Sequence, residues 1–402
     1  MSKTIGQNVL LLEAIQKEKQ RRELIEKIGD RATEPNLLGI SKALDEYYFT
    51  NKLRLYCAFL SYKNIMKGSH LHYDITDLLL VKEIILWIEQ QSQISATLKI
   101  FNQIRILFEQ LNDSSKNLKP LFDSTLELIK KNEESFSNEE NLEMYSFLNN
   151  FSIKKMNEGF KHYRPIFLWL NNQIINIKWS YKKPQRLSPV LFRNIVAVAL
   201  SINDISVFTE LKTHGLQPDS PFNSFREKYD WVEKFIDYYG ERLEENSEAK
   251  AYLQYCKALL EFDRKTFSKA YKIFNNTLRQ QGTFLNLDLK VLHLKILYEV
   301  NIRKAAILEY DKIEIRKVLD AYRQLLKYKP ARKYQITYQL HYYKTFEKLF
   351  KKLFKFYMDF EGRLDNSKNP KFLSKKEEII HSIKKNGFPF NQWFLEKIEQ
   401  IK

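Results

Sequence analysis

The stretch 248–328 restricts the fold more than any other part of the chain, because two helix-pair signatures follow one another there, 248–262 with 267–280 and 287–300 with 312–328. Corresponding points recur about 40 residues apart, within the range at which self-similarity marks a stacked helical array. The first pair alternates small and aromatic residues at Ala258, Phe267, Ala270 and Phe274. The second carries Leu289, Leu292, Leu294 and Leu297, then Val318, Tyr322 and Leu325. Small residues let two helix axes approach, and rings fill the groove against the next pair.

Chain breakers are scarce: ten glycines and ten prolines in 402 residues, about half ordinary usage or less. That argues against many turns and against glycine-lined phosphate loops, so the expected class is all-α. Apolar periodicity predicts helices over 4–28, 41–67, 74–91, 94–111 and 118–131. On the second of these, Leu44, Tyr48, Leu55, Phe59 and Tyr62 share a face. Ser137 with Glu140 reads as a capping box, and so does Ser374 with Glu377, the latter opening a helix that ends at Gly387. A turn is expected at 157–159, and 179–186 reads as a loop rich in lysine and aromatics. Ser188 followed by Pro189 is a start signal. An insertion is expected over 208–229, a long amphipathic helix over 334–360 and a closing segment over 389–401. The division that follows is an irregular helical region over 1–186, helical repeats over 187–360 and capping helices over 361–402.

The unit 247–282 resembles a tetratricopeptide repeat on Ala258, Phe267, Ala270 and Phe274, and departs from it at Gln254, Lys257 and Gly282. The chain as a whole resembles a family of bacterial proteins of similar length through KALDEYYFTNKLRLYCAFL at 42–60, FRNIV at 192–196, YDWVEKFIDYY at 229–239 and LDLKVLHLKILYE at 287–299. The resemblance implies a TPR-like α-solenoid of antiparallel helix pairs wound into a right-handed superhelix, and it brings no activity with it. Such an array makes a concave groove suited to peptides and proteins.

A formal charge of +17 attracts nucleic acid, acidic proteins or anionic surfaces. Two basic clusters stand out. At 100° per residue, Lys344, Lys348, Lys351, Lys352 and Lys355 fall within about one third of a helix circumference. Phe346, Leu349, Phe350, Leu353, Phe354 and Tyr357 lie opposite. The second cluster is Lys178, Trp179, Tyr181, Lys182, Lys183 and Arg186, where aromatics interleave with bases as in single-strand readers. A solvated helix face and a loop anchored by its rings explain the same residues without a partner.

Catalytic chemistry has little to stand on. Cys57 and Cys256 lie about 200 residues apart inside amphipathic helices, which offers no disulfide framework and no zinc spacing. His70 and His72 with Asp74 are dense but lack the spacing of a metal site, and His162, His214, His293, His341 and His381 are scattered. No GxSxG, Walker or Rossmann loop is present. The expectation is a non-enzymatic scaffold or adaptor, with no cofactor and no metal, that binds another protein or peptide of acidic character. A nucleic-acid-binding module using the two basic clusters is the alternative. No apolar run reaches the roughly 20 residues of a membrane span, so membrane insertion is not expected, and the two unpaired cysteines place the expectation in the cytoplasm.

Overall fold

The computed structural model describes residues 37–65, 80–113, 116–180, 186–202, 225–244, 248–277, 283–302, 309–327, 337–360, 369–385 and 390–401. The helix expected over 4–28 lies outside them. So do His70, His72, Asp74, Tyr181, Lys182, Lys183 and His214. Among the described residues the chain is all-helical. Its helices are α1 (Leu37–Ile65), α2 (Val81–Gln90), α3 (Ala96–Glu109), α4 (Lys119–Asn132), α5 (Asn138–Asn157), α6 (Tyr163–Ser180), α7 (Pro189–Leu200) and α8 (Phe225–Gly240). They continue with α9 (Ala249–Asp263), α10 (Phe267–Thr277), α11 (Thr283–Ile302), α12 (Glu309–Lys327), α13 (Thr337–Phe360), α14 (Pro370–Lys385) and α15 (Asn391–Gln400). No described helix is long and apolar enough to cross a membrane.

Local chemistry sets most of the ends. At α5 the expected capping box is present: the Glu140 amide donates to Ser137 Oγ at 3.2 Å, and the Ser137 amide donates to Glu140 Oε2 at 2.9 Å. That helix stops at a turn in which Gly159 takes φ +99°, a conformation that glycine enters without a Cβ penalty. Ser188 and Pro189 open α7 as expected, although the serine side chain makes no cap bond. The second box does not form. Ser374 lies inside α14, and Asn369 is the cap, its Oδ1 accepting from the amides of Lys371 at 3.0 Å and Phe372 at 3.4 Å. A serine four residues into a helix has no free amides ahead of it to accept from, and Asn369–Pro370 already begins the helix. Likewise α6 runs to Ser180, so Lys178 and Trp179 are helical, not part of a loop.

Among α5 to α15 the extensive helix contacts join elements one or two places apart in the chain, while single side chains reach further, from α15 to α11 and from α13 to the end of α5. The pairs that skip a helix are α7 with α9, α9 with α11 and α13 with α15. At the open end of the α7–α8 pair, the backbones of Leu187 and Leu243 form a parallel bridge, with Leu187 donating to the Arg242 carbonyl and Glu244 to the Leu187 carbonyl, each at 3.0 Å.

Three apolar clusters make the core, and they meet on two helices. α6 sends Ile166, Trp169, Leu170 and Ile174 into the first cluster and Phe167, Leu168 and Ile175 into the second. α11 sends Leu289, Leu292 and Ile296 into the second, and Leu287, Val291, Leu294 and Tyr298 into the third. A helix apolar on both sides needs neighbours on both sides, which is why LWLNNQII and VLHLKILY carry so little charge. The small–aromatic series behaves as its spacing predicts: Ala258, Phe267, Ala270 and Phe274 are all buried. On α1 the buried side is Leu53, Tyr56, Cys57 and Leu60, while Leu44, Tyr48, Leu55 and Tyr62 are exposed. That helix is apolar over most of its circumference, and its packing on α3 and α5, not its own periodicity, selects the buried stripe.

Candidate functional site

The face of α13 predicted from the sequence is built as drawn. Lys344, Lys348, Lys351, Lys352 and Lys355 are exposed. Behind them Phe346, Leu349, Phe350, Leu353 and Phe354 are buried in the third cluster, with Tyr357 partly buried against it. Phe346 anchors the helix: its ring sits 5.3 Å from both Phe390 and Phe394. The lysines therefore stand on a packed support.

Neighbouring helices flank this face with ion pairs. Arg323 on α12 donates from Nε to Glu347 Oε1 at 2.6 Å and from Nη1 to Asp320 Oδ1 at 3.0 Å. On the other side, Lys375 of α14 meets Asp359 Oδ2 at 2.8 Å. Lys352 itself meets Glu378 Oε1 at 3.0 Å and Ser382 Oγ at 3.3 Å. The hydrogen bond from Lys375, with smaller charge contributions from Lys375, Lys355 and Lys371, holds the Asp359 carboxyl below its ordinary range. A hydrogen bond from Lys352 does the same for Glu378. Among the described residues, Lys344, Lys348, Lys351 and Lys355 take part in no ion pair.

The second basic cluster is only partly placed. Lys178 and Trp179 lie in the last turn of α6, and Arg186 is exposed with Nη1 donating to the Leu243 carbonyl at 3.3 Å.

Comparison of the chain with protein-family models, with curated proteins and with solved structures gives no match.

One polar constellation had no signal in the sequence. Arg193 of α7 pairs with Asp288 of α11, and Tyr343 of α13 donates to Asp288 Oδ1 at 2.6 Å. Tyr252 and Tyr255 of α9 lie within the field of Arg193, which opposes the upward push of burial on their hydroxyls; Tyr255 still reaches about 12. Next to it, the Tyr342 hydroxyl donates to the Asn157 carbonyl at the end of α5, at 3.3 Å. Side chains thus join α7, α11 and α13, with the tyrosines of α9 within reach of the Arg193 charge. These residues stand 95 and 55 positions apart in the sequence, measured from Asp288 to Arg193 and to Tyr343, and only the tertiary fold brings them together.

Several other ionisable groups are engaged in the packing of the core. Lys295 of α11 places Nζ 4.5 Å from the Phe390 ring centroid and 5.3 Å from that of Trp393; burial pushes its ammonium down to about 8. The nearest carboxylate on its own helix, Glu299, is taken by Lys397 at 2.7 Å and by the Trp393 indole at 3.1 Å. Together these tie α15 to α11. Burial pushes the thiols of Cys57 and Cys256 well above their ordinary value, which keeps them protonated and poorly nucleophilic. Among the described residues no group of three or more His, Cys, Asp and Glu converges as a metal site would require.

Proposed function

We propose that this chain is a non-enzymatic adaptor: a TPR-like, right-handed α-solenoid of antiparallel helix pairs that holds an acidic segment of another protein. The observation that carries the reading is the exposed face of α13, where four lysines that make no ion pair among the described residues stand on a packed aromatic support. The predominance of contacts between helices one or two places apart from α5 to α15 supports the solenoid, since repeat arrays bury their faces mainly against adjacent units. From fold to function the step is one of analogy; the charge of the face supplies the physical content.

The test is affinity capture at about 0.15 M salt, an ionic strength at which the Debye length is about 8 Å, comparing the native chain with K348E/K351E. An acidic protein retained by the native chain and lost by the variant is the expected result. Retention on heparin or duplex DNA instead, with log affinity falling steeply against log salt, would replace the adaptor with the nucleic-acid reading, which the net charge of +17 favours.

A further inference from the structure

Resting on the adaptor reading, we infer that the partner segment is itself an α-helix, with carboxylates at i, i+4, i+7 and i+11 along one side. Glu347 stands four residues before Lys351, and Asp359 four residues after Lys355. Both are spacings at which a helix neutralises its own lysines. The fold engages both acids more closely elsewhere: Glu347 is bound by Arg323 of α12, and Asp359 by Lys375 of α14, leaving Lys355 only a smaller charge interaction with Asp359. Lys352, the one lysine turned toward α14, is bound by Glu378. What is left between the two rows of ion pairs is a single file, Lys344, Lys348, Lys351 and Lys355.

Helix geometry gives that file its dimensions. At 100° per residue the four positions lie within about 60° of one another, and at 1.5 Å per residue they step by about 6, 4.5 and 6 Å. The sequence of steps reads the same in both directions, so a parallel or an antiparallel helix meets it equally well. A helix carrying acids at the same intervals presents them in step with every lysine. An extended chain, with same-face residues about 6.6 Å apart, is out of step by about 3 Å at the fourth.

Width separates a helix from a duplex. A helix about 10–12 Å across rests on the file alone. A duplex, whose body carries a major groove about 12 Å wide between two phosphate backbones, is roughly twice as broad and would lie over the flanks as well. There it would set phosphates against Asp320 and Glu378, whose side chains are 64% and 67% exposed. Single strands need exposed rings to stack on, and the rings of α13 are turned inward: Phe346, Phe350 and Phe354 are buried, while the hydroxyls of Tyr342 and Tyr343 bond to Asn157 and Asp288.

The experiment measures binding of three fluorescent probes to the full chain: a stapled helical peptide with Glu at i, i+4, i+7 and i+11, a stapled peptide of the same composition with its acids spread around the helix, and a short DNA duplex. Each is titrated against the native chain, K348E/K351E, and a control, K82E/K250E, that makes the same charge change at exposed positions on α2 and α9. The inference expects the matched peptide to bind the native chain and the control alike, and K348E/K351E to weaken it about tenfold or more. If the spread-acid peptide binds as tightly as the matched one, or if neither binds at low salt, the helical partner is overturned while the adaptor reading keeps its own test by capture. Should the duplex bind more tightly than either peptide and lose that affinity in K348E/K351E, both readings fall.

Discussion

His293 shows what a single buried residue can cost this fold. Its ring stacks on Phe274 at 4.3 Å between centroids, and both of its nitrogens are buried without a hydrogen-bond partner. Burial, with Lys290 nearby, pushes its pKa from 6.5 down to about 3. The folded chain therefore keeps the ring neutral, whereas the unfolded chain takes up a proton below about pH 6.5. Stability from this residue is complete above that pH and is lost as pH falls toward about 3, at up to about 1.4 kcal/mol per pH unit. His293→Phe keeps the ring stack and removes the orphaned N–H; it should stabilise the protein by about 1 kcal/mol and flatten the acid limb of stability measured by urea unfolding. An unchanged limb would show that another group carries the acid sensitivity. At the same scale, the α13 lysines were legible in the sequence because exposure follows from the 100° rule alone. The diversion of Glu347 and Asp359 was not, because it depends on where α12 and α14 place Arg323 and Lys375.

Among the elements, α14 separates a sequence pattern from its physical cause. Ser374 and Glu377 match a capping box in spacing, yet the helix has already begun at Pro370 under the side chain of Asn369. Asn369→Ala should cost about 1 kcal/mol, and Ser374→Ala should stay within about 0.5 kcal/mol; thermal or urea unfolding of the two variants decides, and the reverse order would restore the serine as the cap. The signal for the true start was available, since an asparagine ahead of a proline is itself a helix-opening pair. In α1 the shortfall was different in kind. Periodicity found the apolar residues, but a helix with apolar residues over most of its surface offers several stripes, and only the packing of Cys57 against the Phe101 carbonyl, at 3.3 Å, and of Leu53 and Leu60 beside it says which one is used. The paired helices over 248–328 were the most legible, because small and aromatic positions constrain both the axis distance and the seam.

At the scale of the whole molecule, Arg193, Asp288 and Tyr343 join helices that the chain separates by three and then one intervening elements. If this cluster holds α7, α11 and α13 together, Asp288→Ala should destabilise the protein by about 2 kcal/mol and increase the radius of gyration measured by small-angle X-ray scattering. A loss of stability with no change in size would assign the cluster to packing alone. The two-sided helices carry a further consequence. With Phe167, Leu168 and Ile175 of α6 facing one way and Ile166, Trp169 and Leu170 the other, a fragment cut after residue 186 would leave three large side chains bare to water, and one begun there would lack the wall they provide. The chain cannot be divided at its middle without orphaning one of its cores, so thermal damage that starts on either side of α6 spreads to the other.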